Sequence, residues 1–217
     1  MTEIVKKDDF IELEYTAKVK TPEIVFDTTS AELAAKNGLK NPGIGDGPRI
    51  ICLGRGQILK GLDNALQGKE IGKDLTIELN AENAFGKKDP NLVTIIPEQK
   101  FKKAGIKPMP GFQFDVDGST GTVRSVNGGR VIVDFNDPLA GKDIIYEIKI
   151  IRKVNDLEEK IKGFLNLSLN VKKEAIEIKE KEINVDAKMP QEYLSYVENK
   201  LKEVIPEIKE HKLKLKS

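Results

Sequence analysis

The chain has 217 residues, 39% hydrophobic and 33% charged, which is enough apolar material for one large or two modest packed domains and argues against wholesale disorder. Its 36 basic and 35 acidic residues leave a formal net charge of +1, which argues against electrostatically driven binding to nucleic acid or an anionic membrane. One cysteine, Cys52, excludes an internal disulfide, and one histidine, His211, weakens any metal-cluster or catalytic-triad reading. The N-terminal residues carry no apolar signal core and no apolar run approaches membrane-spanning length, so a soluble cytoplasmic protein is expected.

Residues 10–20 alternate as a strand with Ile11, Leu13 and Tyr15 on one face, and residues 24–29 read as a second strand after the Thr21-Pro22-Glu23 turn. Residues 31–41 have helical composition, ended by Gly38, and the Pro/Gly density of 41–48 makes a loop. Ile50 to Leu53 is a short apolar run fit for a buried strand; Gly54 and Gly56 break it. A helix of about eight to eleven residues then follows on the spacing of Ile58, Leu62 and Leu66, ended by Gly68. Ile58 and Leu59 stand at its mouth, where the first backbone N–H groups lack intrahelical partners. Free donors beside aliphatic side chains can hold an extended peptide by a carbonyl and a side chain together.

Leu75, Ile77 and Leu79 alternate with polar residues in a half-buried strand, and 81–86 is a compact loop carrying Phe85. Strands are expected over 92–96 and 130–135 and a helix from Pro97. Phe112, Phe114 and Val116 alternate, 118–121 turns, and Asn127-Gly128-Gly129 signals a hairpin. Residues 144–152 close this set with Ile144, Tyr146, Ile148 and Ile150 on one face. Composition changes at Asn155. A helix over 156–169 with Asp156 as N-cap, a strand over 175–185, a helix over 190–204 with Tyr193, Leu194, Val197 and Leu201 on one stripe, and a lysine-protected edge strand over 211–216 are predicted. No residue of this last segment suggests chemistry, and its expected role is packing against a second copy or the rest of the chain.

Taken in order, Glu14-Tyr15-Thr16, Val25-Phe26-Asp27, Leu53-Gly54 through Ile58-Leu59-Lys60-Gly61-Leu62, Ala84-Phe85-Gly86 and Tyr146 resemble an FKBP-type peptidyl-prolyl cis/trans isomerase. The segment after Gly86, followed by Asn136-Asp137-Pro138-Leu139-Ala140-Gly141, resembles the insert-in-flap module of the SlyD-like subgroup, and the last sixty or so residues resemble the extra domain of long archaeal members. The resemblance implies an α+β fold: an antiparallel curved β-sheet wrapped on a short helix, with an inserted small β-rich domain and a C-terminal α+β domain. The implied limits are 1–86 with 134–154 for the isomerase domain, 87–133 for the insert and 155–217 for the C-terminal domain.

Carried over position by position, the catalytic pocket is Tyr15, Phe26, Asp27, Ile58, Leu59, Phe85 and Tyr146, with Leu62 binding the proline ring. The family's frequent pocket-floor Trp is Leu62 here, and its flap Tyr is Phe85. In the insert, Ile95, Ile96, Phe101, Met109, Phe112 and Phe114 are expected to bind apolar segments of unfolded chains. The implied activity is prolyl isomerisation that accelerates proline-limited folding, with chaperone binding from the insert, no cofactor or metal, and unfolded or partly folded polypeptides with X-Pro bonds as partners. A non-catalytic holdase using the same pocket and insert is the alternative. An RNA-binding β-barrel is disfavoured by the neutral charge and the lack of basic–aromatic stripes.

Overall fold

The period-two pattern that starts at Phe10 produces the long strand β1 (Phe10–Val19), which buries Ile11, Leu13, Ala17 and Val19 and turns Glu14 to solvent. The computed structural model describes residues 3–41, 43–116 and 118–216; Met1, Thr2, Pro42, Asp117 and Ser217 lie outside the described residues, as do the readings of the extreme N-terminus and of Pro42 in the 41–48 loop. The chain divides into two units, Met1–Ala84 with Asp143–Ser217, and Phe85–Lys142.

In the first unit β1 pairs along its length with β9 (Ile144–Lys153), and β9 pairs in turn with β4 (Asp74–Leu79). The rest of β1 is shared: residues 16–19 pair with β2 (Ile24–Thr28) and residues 10–13 with β3 (Arg49–Cys52). Every pairing in this five-stranded sheet is antiparallel. Two short helices accompany it. In α1 (Ala31–Lys36) the Ser30 hydroxyl caps the Leu33 N–H, and the helix ends where Gly38, at φ +66°, was expected to end it. Helix α2 (Lys60–Leu66) has seven residues, fewer than predicted, and buries Leu62 and Leu66. Its Gly61 lies so close to the 3₁₀ turn Ala81–Asn83 that a Cβ there would overlap the Asn83 carbonyl. Any side chain at 61 would therefore push α2 off that turn.

The C-terminal residues of the same unit form α4 (Leu157–Leu169), β10 (Ile176–Lys179), β11 (Glu182–Val185), α5 (Gln191–Val204) and β12 (Lys212–Leu215). Asp156 accepts from the Glu159 N–H at 2.8 Å, as an N-cap should. The single strand predicted over 175–185 is instead a hairpin. Glu180 takes a left-handed φ of +50° between β10 and β11, and the Glu180-Lys181 pair carries none of the usual turn residues that would have marked it. Tyr193 leaves the expected apolar stripe of α5: it is 45% exposed and its hydroxyl donates to the Ser168 carbonyl at 2.9 Å. The stripe itself, Leu194, Val197 and Leu201, is buried. Strand β12 lies at the edge of its sheet, where alternating lysines discourage further pairing.

This segment shares its core with the larger sheet, since Phe10, Ile50, Cys52 and Val154 pack in one apolar cluster with Ile161, Phe164, Leu165 and Leu201. Gly163 permits the contact: a Cβ there would lie 2.5 Å from the Ile50 Cβ. Arg152 of β9 fastens the same joint, donating to Glu12 at 2.7 Å and to both carboxylate oxygens of Glu159 at 2.9 Å.

The second unit is a four-stranded antiparallel sheet ordered β5 (Val93–Pro97), β8 (Arg130–Asp134), β7 (Ser119–Asn127), β6 (Gln113–Val116), with α3 (Glu98–Lys103) after β5. The predicted hairpin at Asn127 has Gly128 and Gly129 as its two loop residues, both at positive φ. Strand β7 begins at Ser119, inside the stretch read from sequence as the 118–121 turn. The core is Phe101, Val123, Val131 and Val133, with Phe114 edge-on to Phe101 and Phe135. Asp134 anchors the end of β8. Burial would raise its pKa, but hydrogen bonds from the Asn136 side chain and N–H, then from Arg124 and Lys88, hold it well below the usual carboxylate range. No helix among the described residues is long and apolar enough to cross a membrane.

Candidate functional site

The sheet register brings three of the candidate residues onto one face. Ile77 on β4 faces Tyr146 on β9, Tyr146 faces Ala17 on β1, and Ala17 faces Asp27 on β2. Directly opposed residues on antiparallel strands share a face, so these four make one row across the sheet. Ala17 is fully buried and is the smallest side chain in the row, which keeps the sheet floor low between the Tyr146 ring and the Asp27 carboxylate. Tyr15, two residues along β1, stands on that same face.

From there the Tyr15 hydroxyl donates to Asp27 Oδ2 at 2.7 Å, and the Tyr15 and Tyr146 rings lie 6.1 Å apart at 55°. Polar ties fix the strand ends that carry the pair. The Tyr15 N–H donates to Thr29 Oγ1, the Thr29 N–H donates to the Tyr15 carbonyl, and the buried Thr16 and Thr28 hydroxyls bond each other. Burial, with the Asp27 charge second, pushes the Tyr15 phenol far above its ordinary value, and the same two causes raise Tyr146. Both are therefore neutral hydrogen-bond donors at any physiological pH.

Arg49 completes this end of the site. Its guanidinium lies over the Tyr15 ring at 5.6 Å, its Nη2 is 3.9 Å from Asp27 Oδ1, and the same Nη2 donates to the Gly43 carbonyl at 2.7 Å. Asp27 Oδ1 is buried and has no hydrogen-bond partner. Neither Arg49 nor Ala17 emerged from the sequence. Arg49 is one of 36 basic residues, and only its pairing opposite Leu13 brings it to Tyr15. A small residue inside a strand carries no signal until its row is known.

The remaining expected residues divide by location. Leu62 is buried in α2, Ile58 and Leu59 are half-buried ahead of it, and Phe26 is half-buried beside Asp27 on β2. Phe85 is half-buried and belongs to the second unit. Of the insert's apolar residues, Ile95 and Met109 are more than half exposed, while Ile96, Phe112 and Phe114 are half-buried against the insert core. Phe101 departs from the surface expected of it: it is 5% exposed and forms that core. Cys52 is buried, which pushes its thiol up to about 12 and keeps it protonated at neutral pH. Among the described residues no group of His, Cys, Asp and Glu could hold a metal ion.

The groups brought together are thus two largely buried aromatic rings, a carboxylate bonded to one of them and a guanidinium beside it, an arrangement suited to binding. Comparison with known proteins agrees. Residues 94–139 match the family model described as FKBP26, IF domain. A short-type peptidyl-prolyl cis-trans isomerase of Methanocaldococcus jannaschii is 29% identical over 150 residues, covering 69% of this chain and 94% of its own. The FKBP-type 16 kDa peptidyl-prolyl cis-trans isomerase of Escherichia coli K12 is 29% identical over 155 residues, covering 70% and 95%. A probable FKBP-type 16 kDa isomerase of Pseudomonas fluorescens is 34% identical over 107 residues, covering 48% and 71%. With residues 94–139 matched by that family model and a relative 34% identical covered over 71% of its length, the chain belongs to the FKBP-type peptidyl-prolyl cis/trans isomerase family.

Proposed function

We propose that this isomerase turns over X-Pro bonds of unfolded or partly folded polypeptides on the face formed by Tyr15, Phe26, Asp27, Ile58, Leu59, Leu62 and Tyr146. The carrying observation is the 2.7 Å bond from Tyr15 to Asp27 with the Tyr146 ring against it.

Rotation about a prolyl bond meets a barrier of about 18–20 kcal/mol because amide resonance must be broken. Uncatalysed, the step takes on the order of tens of seconds. The planar imide is the more polar state and water favours it; the twisted imide is less polar. An apolar face therefore disfavours the planar form relative to the twisted one, and each 1.4 kcal/mol of that difference is about tenfold in rate. Phe26, Leu62 and Tyr146 enclose the proline ring, a backbone N–H at Ile58 or Leu59 anchors a substrate carbonyl, and Asp27 with Tyr15 orients the twisting amide. Neither nucleophile nor cofactor enters this scheme.

Proline-limited refolding is the test. Asp27→Ala combined with Tyr146→Ala should return the rate to nearly the uncatalysed value, and a rate equal to the parent's would defeat the assignment. The exposed Ile95 and Met109 favour a further activity, capture of unfolded chains by the insert, in a cytoplasmic setting. Deleting 87–133 should spare short-peptide isomerisation and cripple protein refolding. A pure holdase would show neither rate enhancement. Homodimerisation through 155–217 is a separate proposal, read by sedimentation of the full chain.

A further inference from the structure

We infer that the C-terminal segment positions the Tyr15–Asp27 pair through a relay running Asn170, Gly43, Arg49. The inference rests on the assignment of that pair to the site. Asn170 caps the C-terminal end of α4 in the left-handed conformation, φ +52°, ψ +43°. It stands directly over Gly43: a Cβ built at Gly43 would lie 3.0 Å from Asn170 Oδ1 and 3.5 Å from Arg49 Nη2. Gly43, at φ +87°, therefore lies beside both side chains; its backbone favours glycine, and a Cβ there would press on Asn170 Oδ1. The Gly43 carbonyl in turn holds Arg49 Nη2 at 2.7 Å.

That hold decides where the guanidinium stops. Its Nη2 rests 3.9 Å from Asp27 Oδ1, near enough for attraction and too far for a hydrogen bond, while the group lies over the Tyr15 ring. The geometry keeps Oδ1 without a hydrogen-bond partner and commits only Oδ2, through Tyr15. Arg49, Gly43, Asn166, Asn170 and Lys172 also share the wall of a cavity of about 420 Å³ between the 43–49 loop and the end of α4. The open volume gives Arg49 room to swing if the loop carbonyl lets go. Arg49 and Asn170 are positioning residues: they act on the site through Asp27 and touch no substrate.

The experiment uses full-length chain and isomerisation of a short prolyl peptide. Asn170→Gly keeps the left-handed backbone and removes the side chain over Gly43; Asn170→Asp keeps side-chain shape. Asn170→Gly should lower kcat/KM about three- to tenfold, with little change in melting temperature, and Asn170→Asp, which sets a second carboxylate near Arg49 to compete with Asp27, should lower it too. In an Arg49→Lys background, where the fork that reaches both Gly43 and Tyr15 is gone, Asn170→Gly should change nothing further. Parental activity in Asn170→Gly, or the same fractional loss in the Arg49→Lys background, overturns the relay. Asp27→Asn separates the two levels. Impaired Asp27→Asn with fully active Asn170→Gly defeats the relay alone, and fully active Asp27→Asn defeats the site assignment with it.

Discussion

Replacing Tyr15 by Phe removes one oxygen and leaves the ring, so the contacts with Tyr146 at 6.1 Å and Arg49 at 5.6 Å can persist. What goes is the 2.7 Å bond to Asp27 Oδ2. A hydrogen bond to a charged group is worth about 1.5–3 kcal/mol net, and the loss here falls at about 2 kcal/mol because Arg49 still faces the carboxylate. For a chain of this size that lowers the melting temperature by about 4–8 °C. Activity should fall further than stability requires. The carboxylate has no hydrogen bond on Oδ1 and loses the one on Oδ2, so only the attraction of Arg49 at 3.9 Å opposes its rotation. A ten- to thirtyfold loss of kcat/KM, about 1.4–2 kcal/mol, follows if orientation of Asp27 matters to the twisting imide. The assay is a thermodynamic and kinetic cycle of Tyr15→Phe, Asp27→Ala and the double variant, read by thermal denaturation and by turnover of a short prolyl peptide. The two substitutions should couple in both readouts. Strict additivity, or a Tyr15→Phe variant with unchanged stability and rate, would refute the reasoning.

Three further outcomes follow from named contacts. Gly163→Ala should destabilise the first unit by about 1–3 kcal/mol through overpacking against Ile50, although Ala is the better helix former by about 1 kcal/mol; a stabilised variant in chemical denaturation would show that α4 does not sit tightly on β3. Asp134 has its carboxyl depressed in the folded state, so its stabilising effect is complete above the ordinary carboxylate value near 4 and is lost as pH falls below it towards the folded value. Amide protection in 85–142, taken relative to the intrinsic exchange rate at each pH, should fall below about pH 4, and Asp134→Asn should flatten that acid response while weakening the unit at neutral pH. Cys52, with its thiol pushed up to about 12 by burial, should resist alkylation at pH 8 until denaturant is added; labelling at the rate of an exposed thiol would contradict the packing.

Much of this molecule is written in local pattern. Alternation marks β1, β4 and β9, a Gly-Gly pair after Asn127 fixes the β7–β8 hairpin, and Asp156 announces α4. Those signals rest on backbone period and turn chemistry, which a residue and its near neighbours decide. Where the neighbours carry no such chemistry the reading failed. Glu180-Lys181 turns without a turn residue, and Tyr193 follows the spacing of a buried stripe yet points outward to Ser168.

The site divides in the same way. Tyr15, Asp27 and Tyr146 are recoverable from ordered motifs along the chain, but their meeting depends on which strands pair and in what register. Ala17 and Arg49 acquire meaning only there, one because it is small beneath two larger groups, the other because β3 sets it beside Tyr15. The amino-acid order determined the elements and the family resemblance, since both are encoded within short stretches. Only the tertiary structure decided that residue 170 bears on residue 43, and so on Arg49, because contact between segments so distant in sequence is set by packing.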